Sequence, residues 1–101
     1  MEDASANVMS DNTANGNDFG VNVNASRSES SDVLVDATRN TLTRNTANRN
    51  ASYGFAATEG ANHNRFSSNA AHANGELDAL EAWPAGGDTW VGNHFGTTSG
   101  I

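Results

Sequence analysis

The stretch Asn17-Asp18-Phe19-Gly20-Val21-Asn22-Val23-Asn24-Ala25 constrains the fold more than any other, because its valines and asparagines strictly alternate. A period of two belongs to a strand. Val21 and Val23 then face one side, Asn22 and Asn24 the other, and Gly20 supplies a kink or turn at entry. Echoes follow around Tyr53-Gly54-Phe55 and Phe95-Gly96. Aligning the aromatic-glycine pairs at 19/20, 53/54 and 95/96 gives spacings of 34 and 42, in the range of stacked-repeat architectures.

Such strands have little with which to build a core. Val, Leu, Ile and Phe number 15 of 101 residues, below the roughly 20% at which a strongly charged chain is expected to stay unfolded alone. Sixteen alanines bury too little area to offset an ordering cost of about 1.5 kcal/mol per residue. Ordering by contact with identical subunits is the simplest remedy. Asn, Ala, Ser and Thr together supply 50 residues, and Lys, Gln and Cys are absent, so neither a disulfide framework nor a cysteine metal site can form.

The net charge of -7 falls in blocks: -4 over residues 1–26, +1 over 27–65 and -4 over 66–101. An acidic chain without lysine is not expected to bind nucleic acid or an anionic membrane. No run approaches the length of apolar sequence that a membrane helix needs. The start, Met1-Glu2-Asp3-Ala4-Ser5, has neither the basic nor the apolar segment of an export signal.

Along the chain, residues 1–16 read as a polar acidic arm, and Val33-Leu34-Val35 as a strand buried on both faces. Arg39-Asn40-Thr41, Arg44-Asn45-Thr46 and Arg49-Asn50-Ala51 recur every five residues, a step that makes no stripe on a strand or a helix. A five-residue coil would call for a large apolar residue at each repeat centre, and only Leu42 meets that need. Phe66, Ala70, Ala73, Leu77 and Leu80 follow a helical seam. The firmer expectation is one short helix over Glu76 to Trp83, with Asn74 as N-cap and Pro84 as its stop. Residues 84–101 read as a Gly- and aromatic-rich hairpin or anchor.

No catalytic pattern is legible. His63, His72 and His94 match no ligand spacing. Residues 11–18 open like a calcium loop, but Asn22 stands where a bidentate glutamate belongs, which favours an Asx-rich turn. Gly86-Gly87-Asp88 lacks the strand, helix and lysine of a phosphate loop. Asn24-Ala25-Ser26 and Asn50-Ala51-Ser52 fit the glycosylation pattern at the frequency that composition alone produces. Trp83, Trp90 and Phe95 suggest a local core, an anchor into a neighbour or a sugar-facing patch.

Gly20-Val21-Asn22-Val23-Asn24-Ala25-Ser26 resembles the Gly-Val-Asn-Val core of Fap-type functional-amyloid fibre subunits, and residues 54–71 share that family's Ala, Gly and spaced Asn. The chain differs in having no glutamine, no terminal cysteine pair and unequal repeats. The resemblance implies a non-enzymatic extracellular or cell-surface fibre of stacked β layers, without cofactor or metal. The expected fold is mainly β: a layered β-solenoid or cross-β-like repeat over residues 17–83, with long loops, one short C-terminal helix and a monomer that can be disordered alone. In such layers asparagine amides bond to identical amides above and below. The expected assembly residues are Phe19, Val21, Asn22, Val23, Asn24, Tyr53, Phe55, Phe66, Trp83, Trp90 and Phe95, and the expected partner is another copy of the chain. The alternatives are a virion component ordered by other capsid or tail proteins, and a small calcium- or sugar-binding module.

Overall fold

The computed structural model describes residues 6–23, 37–58, 61–81 and 87–101. Each of these segments contributes one strand to each of two four-stranded parallel sheets. The first pass carries β1 (Val8–Ser10) and β2 (Phe19–Val23); the second β3 (Ala37–Thr38), β4 (Thr41–Thr43) and β5 (Tyr53–Ala57). The third carries β6 (Ala61–Asn62), β7 (Arg65–Ser67), β8 (Ala70–Ala71) and β9 (Leu77–Glu81); the fourth β10 (Thr89–Val91), β11 (His94–Phe95) and β12 (Thr98–Ser99). The sheets run β1-β4-β7-β10, β2-β5-β9-β12, β3-β6 and β8-β11, and every one of these pairings is parallel. The fold is mainly β.

Backbone geometry explains the five-residue step. Ala6, Asp11, Gly16, Arg39, Arg44, Arg49, His63, Ser68, Ala73, Gly87 and Gly92 all have φ between 54° and 72°. Each left-handed residue bends the chain. The residue that follows it, an asparagine at every such place but Asp88, stands at the corner so formed. Within the second and third passes Asn40, Asn45, Asn64 and Asn69 are each 1% exposed. The arginine triplets thus mark corners, with their side chains outside. A left-handed conformation costs a residue other than glycine roughly 1–2 kcal/mol, so packing and hydrogen bonding at the corners must outweigh that strain.

Apolar side chains stack in columns between the corners. Met9, Leu42, Phe66 and Trp90 are in register across four passes. Val21 pairs with Phe55 and Phe55 with Ala79. The expectation that each five-residue centre needs a large apolar group is corrected: Ala47 and Ala71 are fully buried beside Leu42 and Phe66. Corner asparagines fill the interior that larger side chains would otherwise occupy.

Several other expectations change. The helix expected over 76–83 is replaced, within its described residues 76–81, by β9 (Leu77–Glu81), and its seam from Phe66 is broken by Ala73 at a left-handed corner. Local helix signals lose because each residue there finds a parallel neighbour in the preceding pass. The C-terminal strands form no hairpin; β10, β11 and β12 pair separately with β7, β8 and β9. Residues 6–16 are not an arm, since β1 pairs with β4 and Thr13 bridges to Thr46. Gly20 makes no turn. A Cβ there would stand 2.6 Å from the Gly54 carbonyl oxygen, and one on Gly54 2.6 Å from that of Asp78, so both glycines permit close approach of successive passes. Val33-Leu34-Val35 lies outside the described residues.

Candidate assembly surface

The corner asparagines form three ladders with one direction. Asn45 donates its backbone N–H and its amide Nδ2 to Oδ1 of Asn69, at 2.9 and 3.1 Å. Asn69 repeats both bonds to Asn93, at 2.9 and 3.1 Å. The amide also reaches back: Asn69 Nδ2 donates to the Leu42 carbonyl at 2.9 Å, and Asn93 Nδ2 to that of Phe66 at 2.9 Å. Each internal asparagine therefore satisfies both its oxygen and its nitrogen, as burial demands. The second ladder runs Asn12, Asn45, Asn69, Asn93, with sequence separations of 33, 24 and 24. The first runs Asn7, Asn40, Asn64, Asp88, and the third Asn17, Asn50, Asn74.

Two aspartates end ladders differently. The fourth pass omits the third corner, and Asp78 takes its place, accepting from Asn74 N and Nδ2 on Oδ1 while Gly96 N and Thr97 N donate to Oδ2. Burial alone would raise the Asp78 carboxyl, but these bonds outweigh it and hold the group below its ordinary value. Asp88 receives Asn64 N at 2.7 Å and Nδ2 at 2.9 Å on Oδ1. Its Oδ2 is buried with no hydrogen-bond partner among the described residues. Burial pushes this carboxyl up to about 6 against the pull of the Asn64 bonds, and the nearby Glu81 charge adds to the rise.

A raised carboxyl gives stability that is complete below the unfolded value of 3.8 and is lost as pH rises through about 6. Asp88→Asn is therefore expected to raise the urea midpoint at neutral pH and to flatten its decline between about pH 4 and 7. A variant with the wild-type slope would show that Asp88 does not cause it.

The polarity of the ladders makes the two ends of the stack chemically different. At the fourth pass, the Asn93 backbone N–H has no partner among the described residues and its Nδ2 donates only backwards. At the first pass, Asn12 and Asn17 are exposed and their side-chain oxygens accept no bond from the described residues. Along the second ladder, one end presents donors and the other acceptors. Strands β1 and β2 form one pair of sheet edges and β10 and β12 the other.

The sequence-predicted residues separate into several places. Phe19 meets Tyr53 edge-on at 5.0 Å, and Val21, Val23 and Phe55 are buried as the alternation requires. Phe66 stacks on Trp90 at 3.9 Å and Trp90 meets Phe95 edge-on at 6.0 Å, so the C-terminal aromatics do form a cluster. Phe95 pairs with Ala71, not with Tyr53 or Phe19, and Leu77 holds the place that the third aromatic-glycine unit was expected to fill. Asn22 is no rung of a ladder within the chain, since Ala56 and Leu80 stand in register with it. Asn24 and Trp83 lie outside the described residues.

The other candidates are placed as well. Asp11 binds the Arg44 guanidinium at 2.8 and 3.1 Å, and Asn15 Oδ1 accepts from Asn48 N, so these oxygens of the calcium-like stretch are engaged within the chain. His72 and His94 meet at 5.1 Å, while His63 turns to Asn62 at another corner. Asn50 is 2% exposed as a rung, which hides its glycosylation-pattern amide. As rungs, the asparagines at 7, 12, 17, 64, 69 and 74 escaped sequence reasoning, Asn74 being expected as a helix N-cap instead. Their signal was the recurrence of the 40, 45, 50 spacing in two more sets. The chain matches no protein-family model, no curated protein and no solved structure.

Proposed function

We propose that this chain is a non-enzymatic structural subunit, a short layered β-solenoid that stacks end to end on copies of itself into a fibre outside the cell. The observation that carries the reading is the one-way second asparagine ladder, which leaves donors at Asn93 and an acceptor at Asn12. Seating one copy's first pass on another's fourth would let Asn93 donate to Asn12 as Asn69 donates to Asn93. The apolar column would continue from Trp90 to Met9. Both edges would gain the parallel pairing they lack, which is how exposed sheet edges drive assembly.

Each copy brings a net charge of -7. Stacking copies therefore opposes like charges across the joint, a repulsion that salt screens within about 10 Å at 0.1 M. Purified protein is expected to form fibres with a meridional reflection near 4.8 Å, and to do so faster at high salt. A soluble monomer that stays dispersed under all conditions, or assembly indifferent to salt, would count against stacking and favour a chain that orders on other virion proteins.

A further inference from the structure

We propose that Asp88 gates end-to-end stacking: ionised, it closes the first asparagine ladder, and protonated, it stands in for an asparagine and admits the next copy. The proposal rests on the fibre reading above and supplies its regulation.

The geometry comes from the neighbouring ladder. Asp88 occupies a corner station in the fourth pass, directly after the left-handed Gly87, as Asn93 does after Gly92. Oδ1 does the work of an asparagine oxygen, accepting both bonds from Asn64. Oδ2 stands where an asparagine would carry its nitrogen. At Asn93 that nitrogen donates to the carbonyl of Phe66, three residues before Asn69. The equivalent carbonyl for Asp88 belongs to Ala61, three residues before Asn64. An ionised Oδ2 has no proton to offer such an acceptor, and it is buried with no partner among the described residues. A protonated Oδ2 carries one proton and can make the backward bond, one of the two that a rung amide donates.

Among the described residues, the charged group facing Asp88 is Glu81. Its Oε1 accepts the Asp88 backbone N–H at 3.3 Å and its Oε2 accepts the Trp90 indole at 3.0 Å. His63 and Arg65, flanking Asn64 on the third pass, are exposed. Partial burial first and the nearby Glu81 second favour the neutral acid, consistent with a carboxyl raised to about 6. A second copy seated on the fourth pass would seal Asp88 from water and favour the neutral acid further. Stacking therefore takes up a proton at this residue.

The test compares full-length wild type, Asp88→Asn and Glu76→Gln, each removing one charge in the variants, by light scattering at constant ionic strength between about pH 5 and 7.5. Wild-type assembly is expected to speed up about tenfold from pH 7 to 5, following the protonated fraction of a group titrating near 6. Asp88→Asn should assemble at pH 7 at the wild-type pH 5 rate, while Glu76→Gln keeps the wild-type profile. Asp88→Asn fibres with the wild-type pH profile would overturn the gate and leave the fibre reading standing. Folded protein that assembles in no variant at any pH would overturn both. Side-chain NMR titration of Asp88 in wild-type monomer gives an independent check: an ordinary carboxyl titration there would overturn the gate whatever the variant does.

Discussion

Asn69→Ala is expected to lower the unfolding free energy by about 4 kcal/mol, summing penalties of roughly 1–3 kcal/mol for each buried group left unpaired. The side chain is 1% exposed. Its removal leaves Asn45 N without its acceptor and takes the Asn69 amide donor from the Leu42 carbonyl, while Asn45 Nδ2 and Asn93 Oδ1 each lose one of two bonds. Asn69→Asp is no remedy, because it keeps the volume but replaces a buried donor with a charge that points at two oxygens. Asn22→Asp, by contrast, should cost under about 1 kcal/mol, as expected of a partly exposed strand position away from the buried ladders. Urea unfolding of the three variants decides the matter; equal losses at positions 22 and 69 would mean that the ladders do not hold the passes together.

Phe66→Ala is expected to cost about 3–5 kcal/mol, as large-to-small changes at sealed aromatic positions do. Phe66 is fully buried in register between Leu42 and Trp90, with its ring stacked on the indole at 3.9 Å. The cavity cannot be filled by collapse, since the strand spacing on either side is fixed by backbone bonds and by the ladders at both corners of β7. Phe66→Leu should recover more than half of the loss, because Leu42 fills the same station one pass earlier. Tryptophan fluorescence gives a second readout: Trp90 should shift to the red in Phe66→Ala as water reaches the indole, and an unmoved spectrum would place the indole elsewhere.

Much of the strand content was legible locally. Val21 and Val23 are buried in β2 because alternation is a property of the backbone and needs no partner to be read. The match of Phe19-Gly20 to Tyr53-Gly54 at a spacing of 34 is the true register. The third aromatic-glycine pair misled, since aromatic and glycine recur here for separate reasons: Gly54 permits a close approach, whereas Phe95 caps a column of alanines. The helix at 76–83 misled in the same way. Asn74 and the acids after it are proper N-terminal helix signals, but Asn74 is a ladder rung and Asp78 is its terminator.

By itself the sequence determined that the chain is mainly β, short of large apolar side chains and built on repeated asparagines, because these follow from composition and from the two-residue period. Only the tertiary structure decided which asparagines are rungs. A rung is defined by the residue one pass away, and the passes differ in length, with sequence separations of 33 and 24 along the second ladder and 19 between Asp78 and Thr97. No local period can report a distance that a longer connection alters. The five-residue step was visible in the arginine triplets, but its meaning depended on a left-handed φ at Arg39, Arg44 and Arg49, a backbone state that side-chain identity does not reveal.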